Sequence, residues 1–145
     1  MCISVYLWSS RSPSPKFEWP QETADYRYAL PIAADIIEGK ADVADLFGDY
    51  SMCASFTLPE AELQSLRQEG LNWFPAVRKD YISKSDWYVG TLMPNQIKDV
   101  SFMLDEKPDA NATYSYISED VEGGWWRAVA INEDSKIVYY CRVSW

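Results

Sequence analysis

The sequence predicts an α+β fold in a single domain spanning residues 1–145. We expect an antiparallel sheet of about five or six strands, with two or three helices from the N-terminal half packed on one face. Two observations predict this architecture. Helix signals concentrate in the first half of the chain and β-rich segments in the second half. Elements segregated in this way are typical of an antiparallel sheet covered by helices. The chain is also long enough to bury a core without disulfides or a metal.

The strongest helix signal covers residues 58–69. Thr57 is expected to cap this helix, with Pro59 in the first turn and Glu60 completing a capping box. Gly70 suits the left-handed position that ends a helix.

Two shorter helices are predicted upstream. Pro31 is expected to begin the first, which ends at Gly39. Asp42 is expected to cap the second, which ends at Gly48. The apolar stripe of the first helix is Ile32, Ile36 and Ile37.

The remaining apolar segments favour strands. The predicted strands are 2–8, 50–56, 87–92, 100–104, 113–117, 125–131 and 137–143. The last two form the best hairpin in the sequence, spanning 125–143, because a short polar connection joins them.

Composition limits the chemistry. The chain has no histidine and carries 22 acidic against 13 basic residues, a net charge of −9. Histidine is the usual proton carrier near neutral pH and the commonest metal ligand, so the absence argues against most nucleophilic and metal catalysis. The acidity argues against binding nucleic acid or an anionic membrane directly. The simplest reading of the acidity alone is that it keeps the protein soluble.

The three cysteines, Cys2, Cys53 and Cys141, match no metal or redox spacing. We therefore predict no metal site and no cofactor. Unpatterned cysteines, the lack of a signal peptide and the lack of a long apolar run together predict a cytoplasmic protein in a reducing compartment.

Two segments hold the negative charge. Residues 17–62 contain ten acidic and two basic residues, and residues 99–122 contain seven acidic and one basic residue. Within them, two clusters stand out: Asp42, Asp45 and Asp49, and then Glu119, Asp120 and Glu122. They fit either a solvated helix face and an acidic loop, or a patch that steers a basic partner.

Adjacent aromatic residues sharpen the second alternative. Trp125 and Trp126 follow each other on a predicted strand, so their side chains point to opposite faces. One is expected in the core, and the other is exposed or covered by something else. The alternative is a sheet that is buried on both faces.

These features predict a non-enzymatic binding protein: an immunity protein or antitoxin that inhibits a basic toxin, such as a nuclease, by occluding its active site. The partner is a basic protein, either a toxin or a nucleic-acid-binding protein. The predicted contact residues are Asp42, Asp45, Asp49, Glu119, Asp120, Glu122, Trp125 and Trp126.

Three alternatives remain open. A mobile-element protein would block a host nucleic-acid-binding defence complex by presenting DNA-like charge. A small hydrolase would use a carboxylate pair or Cys2 as an N-terminal nucleophile; the Met1-Cys2 start resembles that of N-terminal-nucleophile amidohydrolases over two residues. An adaptor domain would use its acidity only for solubility.

Overall fold

The computed structural model describes residues 26–43, 50–75, 81–121 and 124–144. In this part of the chain, six strands form one antiparallel sheet and two α-helices pack against it, which confirms the predicted α+β class. The strands, in chain order, are β1 (Asp35–Val43), β2 (Tyr50–Thr57), β3 (Tyr88–Gly90), β4 (Tyr114–Val121), β5 (Trp125–Asn132) and β6 (Val138–Ser144). The helices are α1 (Glu60–Glu69) and α2 (Pro94–Ser101), and the sheet order is β1-β2-β6-β5-β4-β3.

The two helices lie on opposite faces of the sheet, so the prediction that all helices share one face is wrong. Leu63 and Leu66 of α1 pack in one core cluster, and Val100 of α2 packs in another. The central strands are apolar at both alternating sets of positions, so each face needs a cover. We call the two sides of the sheet the α1 face and the α2 face.

The predicted helix 58–69 is confirmed, although it begins without the expected cap. Thr57 ends β2 opposite Asp35, so it does not cap the helix, and the Pro59 carbonyl accepts the first helical N–H, from Leu63, at 2.9 Å. Gly70 ends the helix at φ 61°, with its N–H bonded to the carbonyl of Leu66. A Cβ there would lie 3.1 Å from Ile117, so backbone conformation and space both favour glycine.

The helix predicted between Pro31 and Gly39 is wrong, because residues 35–43 form strand β1 and pair with β2 along their length. A bulge between Ile36 and Glu38 lets Ile36 pack against the α1-face core and leaves Ile37 exposed. This pairing overrode the helix-like spacing of the isoleucines.

Asp42 also lies in β1, opposite Ser51, and so it caps no helix. The rest of that predicted short helix lies outside the described residues.

The strand predicted at 100–104 is wrong as well. Residues 94–101 form α2, which starts with Pro94 in its first turn and a bond from the Met93 N–H to the Gln96 side chain at 2.8 Å. Two local signals, the proline and the glutamine, thus outweigh a short apolar run.

The other strand predictions hold where the structure describes them. The segments at 50–56, 113–117, 125–131 and 137–143 are strands, and the one at 87–92 shortens to three residues. The predicted strand 2–8 lies outside the described residues. The C-terminal hairpin is confirmed, with Lys136 at φ 65° in its turn.

Cys53 and Cys141 face each other across β2 and β6 and form a disulfide on the α2 face. Both are fully buried, and their Cα atoms are 4.1 Å apart. Since 88 residues separate them in sequence, no spacing rule reveals the pair. The unpatterned cysteines therefore no longer indicate a reducing compartment.

Candidate functional site

The sheet register aligns two of the predicted acidic contacts on one line. Successive cross-strand partners on β1, β2, β6, β5 and β4 are Asp42, Ser51, Val143, Trp126 and Asp120. We call these five residues the acidic row. All five lie on the α2 face, and four inter-strand steps separate the aspartates at its ends, a distance of roughly 19 Å.

Helix α2 covers the neighbouring row but not the acidic row. One step along the strands, on the same face, Cys53, Ala128 and Cys141 are fully buried against Val100. In the acidic row itself the two aspartates are exposed, and the three residues between them are half-buried. Helix α2 packs on the small residues of the neighbouring row. The acidic row lies beside the helix and is therefore accessible to solvent.

A pocket of about 210 Å³ opens between α2 and the Asp120 end of the row. Asp99 comes from α2, and the other residues come from β4 and β5. The Trp126 ring lies 6.0 Å from the ring of Phe102, tilted by 49°, so the residue that follows α2 supports the indole. The lining residues are Asp99, Ser118, Glu119, Asp120 and Trp126.

The carboxylates of Asp42, Asp99 and Asp120 receive no salt bridge and no hydrogen bond from any described residue. Burial raises the pKa of Asp99 above its usual value, and the charge of Lys98 lowers it only in part. The pocket therefore carries negative charge that the described residues leave uncompensated, and a cation would stabilise it.

Other acidic residues are compensated. Asp105 accepts a bond from Lys40 at 3.1 Å, and Glu133 binds both guanidinium nitrogens of Arg67 at 2.8 and 2.9 Å. Among the described carboxylates, Asp105 and Glu133 are thus paired with basic side chains, whereas Asp42, Asp99 and Asp120 are not.

Glu119 and Trp125 lie on the opposite side, in the interior of the α1 face. The Glu119 carboxylate lies 2.8 Å from Nε of Arg127 and accepts the hydroxyl of Tyr81 at 3.0 Å. Trp125 is 1% exposed, and the Arg127 guanidinium stands 5.0 Å from the centre of its ring. Both side chains serve the interior, although Glu119 also borders the pocket.

The structure thus brings together three of the eight predicted contact residues: Asp42, Asp120 and Trp126. Asp45, Asp49 and Glu122 lie outside the described residues. Sequence reasoning missed Asp99 and Ser118. It assigned residues 100–104 to a strand and so did not place Asp99 on a helix, and it ended the predicted strand 113–117 one residue before Ser118. The Pro94 and Gln96 helix start was the signal that places Asp99 on a helix.

The described ranges contain no cluster of three or more Cys, Asp or Glu side chains arranged to bind a metal ion. Within the same ranges, neither helix has the length and apolar character needed to cross a membrane. Comparison of the chain with protein-family models, with curated proteins and with solved structures found no match. The site itself therefore carries the functional argument.

Proposed function

We propose that this protein binds a basic protein partner through the acidic row, as an immunity protein or antitoxin that occludes the active site of a toxin such as a nuclease. The observation that carries the proposal is the row itself. Its two exposed aspartates are uncompensated by described residues, and a half-buried tryptophan and valine lie between them.

A protein surface suits this row better than a small molecule does. Interfaces combine an apolar, aromatic centre with a polar rim, and tryptophan is enriched among the residues that dominate binding energy. Val143 and Trp126 supply such a centre, and Asp42 and Asp120 supply charged ends. The charges would speed association with a basic partner, and burial of the indole would slow its release.

The described row is a weaker match to nucleic-acid mimicry. Duplex DNA carries one charge per roughly 1.7 Å of its axis. The row places its two charges about 19 Å apart, with three uncharged residues between them. This sparse spacing favours contact with individual basic side chains.

The proposal is non-enzymatic, since it needs only occupation of a surface. The Cys2 hydrolase stays an alternative, because that residue lies outside the described ranges. A cytoplasmic location also stays a proposal, now without the support of the cysteine pattern.

Capture from a lysate of the source cell tests the proposal. The immobilised chain is loaded at low salt and washed at rising salt, and the retained proteins are identified by mass. We compare wild type with Asp42→Asn/Asp120→Asn. The matched control is Asp86→Asn/Asp134→Asn, which removes two exposed charges outside the row.

We expect one basic protein to be retained by the wild type and the control and released by salt. Its affinity for the row variant should be at least about tenfold lower, equivalent to about 1.4 kcal/mol. Equal affinity of all three proteins for that partner, with the same salt dependence, would refute the proposal.

A further inference from the structure

We infer that the pocket between α2 and the acidic row receives one arginine side chain of the basic partner. This inference rests on the proposed function and names the chemistry of its anchor. The sheet face there is open, and the charge of the pocket is complementary to a guanidinium.

The interior of this chain already holds a guanidinium between a carboxylate and an indole. On the α1 face, the Arg127 guanidinium is held by the Glu119 carboxylate at 2.8 Å and stands over the Trp125 ring at 5.0 Å. One residue further along each strand, on the other face, Asp120 and Trp126 are direct cross-strand partners. The α2 face thus repeats the carboxylate and the indole, and no arginine in the described ranges pairs with them.

Two carboxylates and an indole line the pocket together. Asp99 and Asp120 come from different elements, α2 and β4, and line the same pocket as the Trp126 indole. A guanidinium is planar and carries five N–H donors, so it can bond two carboxylates while its face stacks on an indole. A lysine ammonium is a compact point charge without a planar face, so it is less suited to bond two carboxylates and stack on an indole at the same time.

The volume of the pocket also fits a single side chain. Pockets for drug-sized ligands usually enclose about 300–1,000 Å³. This pocket, at about 210 Å³, is smaller and open to one side. It suits the end of a single long side chain that enters from a partner's surface.

The electrostatics of the pocket favour a cation. No described residue donates to the carboxylate of Asp99, and burial raises its pKa. Burial removes part of the hydration that stabilises the ionised carboxylate. A guanidinium in the pocket would stabilise the ionised form in its place, and it would do so only when the partner is bound. Ser118 adds a hydroxyl that can accept a further N–H.

Titration with three small probes tests the inference on the full chain. The probes are N-acetyl-arginine-amide, N-acetyl-lysine-amide and N-acetyl-citrulline-amide, which has the shape of arginine without its charge. The readouts are the NMR shifts of the Trp126 indole N–H and of the Ser118 and Asp120 amides.

We expect saturable shifts with the arginine probe, at least about threefold weaker affinity for the lysine probe, and no saturation with citrulline. Asp99→Asn/Asp120→Asn should abolish the response, while Asp86→Asn/Asp134→Asn should keep it. Asp120→Asn alone, at an exposed position, gives a second variant whose spectrum should otherwise match the wild type. Equal responses to arginine and citrulline, or an unchanged response in both pocket variants, would overturn the inference.

The outcome separates this inference from the proposed function. If the arginine probe fails while capture of a basic partner still depends on Asp42 and Asp120, the arginine pocket is wrong and the proposed function stands. If the probe binds while capture is independent of the row, the proposed function is wrong and the arginine pocket stands.

Discussion

The two faces of the β4–β5 pair both carry an acidic residue and a tryptophan, but in different surroundings. On the α1 face, the Glu119 carboxylate pairs with the buried Arg127 guanidinium, which stands 5.0 Å from the centre of the Trp125 ring. On the α2 face, Asp120 and Trp126 lie one residue away and face solvent and a pocket. Because strand side chains alternate, adjacent residues can serve stability and binding separately.

What covers each face explains the difference. On the α1 face, residues outside the sheet form hydrogen bonds with the Glu119–Arg127 ion pair. The Arg127 guanidinium donates to the Pro75 carbonyl at 3.1 Å, and Tyr81 donates to Glu119. On the α2 face, helix α2 covers the row of Cys53 and Cys141 and leaves the acidic row at its edge. The comparison predicts that substitutions on the two faces will have different effects.

The largest effect should come from breaking the buried ion pair. Arg127→Ala leaves the Glu119 carboxylate buried without its charge partner, which costs about 3–5 kcal/mol of unfolding free energy. Asp120→Asn, one residue from Glu119 on the open face, should stay within about 0.5 kcal/mol of wild type. Urea unfolding of both variants measures the contrast, and a cost below about 1 kcal/mol for Arg127→Ala would contradict it.

The neighbouring tryptophans should separate in the same direction. Trp125→Leu removes a fully buried ring and should cost about 3 kcal/mol of stability. Trp126→Leu should cost about 1 kcal/mol or less, because its ring is half-buried, yet it should weaken binding of a captured basic partner by at least about tenfold. Thermal unfolding and affinity measured on the same preparations decide this. Parallel losses in both variants would erase the distinction between the faces.

A compensated acid should show its role in the pH dependence of stability. Burial alone would raise the pKa of Glu133, but hydrogen bonds from Arg67 and Ser115 and the charge of Arg67 lower it below the ordinary value of 4.5. A lowered pKa in the folded state means that Glu133 contributes stability above the unfolded pKa and loses it as pH falls through the folded pKa.

We therefore expect Glu133→Gln to lose about 1 kcal/mol at pH 7, since the carboxylate is a quarter exposed and partly screened. The difference from wild type should shrink as pH falls below about 4.5. Urea unfolding across pH 3–7 measures both stabilities. A difference that is constant over this range would show that the ionised carboxylate is not the cause.

The smallest effect, of opposite sign, is expected at Asp99. Since burial raises the pKa of this group, the folded state disfavours its charged form, and the penalty grows as pH rises through the unfolded pKa. Asp99→Asn should therefore be as stable as wild type at pH 7 or more stable by up to about 0.5 kcal/mol, after allowance for solvent screening. Stability and arginine-probe binding are measured together, and a marked loss of stability would assign Asp99 to the fold instead.

Local signals predicted the elements whose determinants lie close in sequence. Helix α1 follows from the Leu63 and Leu66 spacing and from Gly70, and the C-terminal hairpin follows from its short polar turn. Strand β1 could not be predicted in this way, because its conformation depends on pairing with β2 and on a bulge that shifts the isoleucines. The disulfide depends on register alone.

The candidate site was predictable in composition but not in arrangement. Charge clustering singled out Asp42 and Asp120, and adjacency singled out Trp126. Their common row became visible only with the order and register of five strands. Asp99 was missed because it reaches the pocket from a short helix on the α2 face.

The central claim is that the α2 face binds and the α1 face stabilises. The most direct measurement is 19F NMR of the chain labelled with 5-fluorotryptophan, in which each of the seven tryptophans gives its own resonance. Single Trp125→Phe and Trp126→Phe variants assign the two signals, and the captured basic partner is then added. The account predicts that the Trp126 resonance shifts and saturates while the Trp125 resonance stays in place. A shift at Trp125 with none at Trp126 would contradict it.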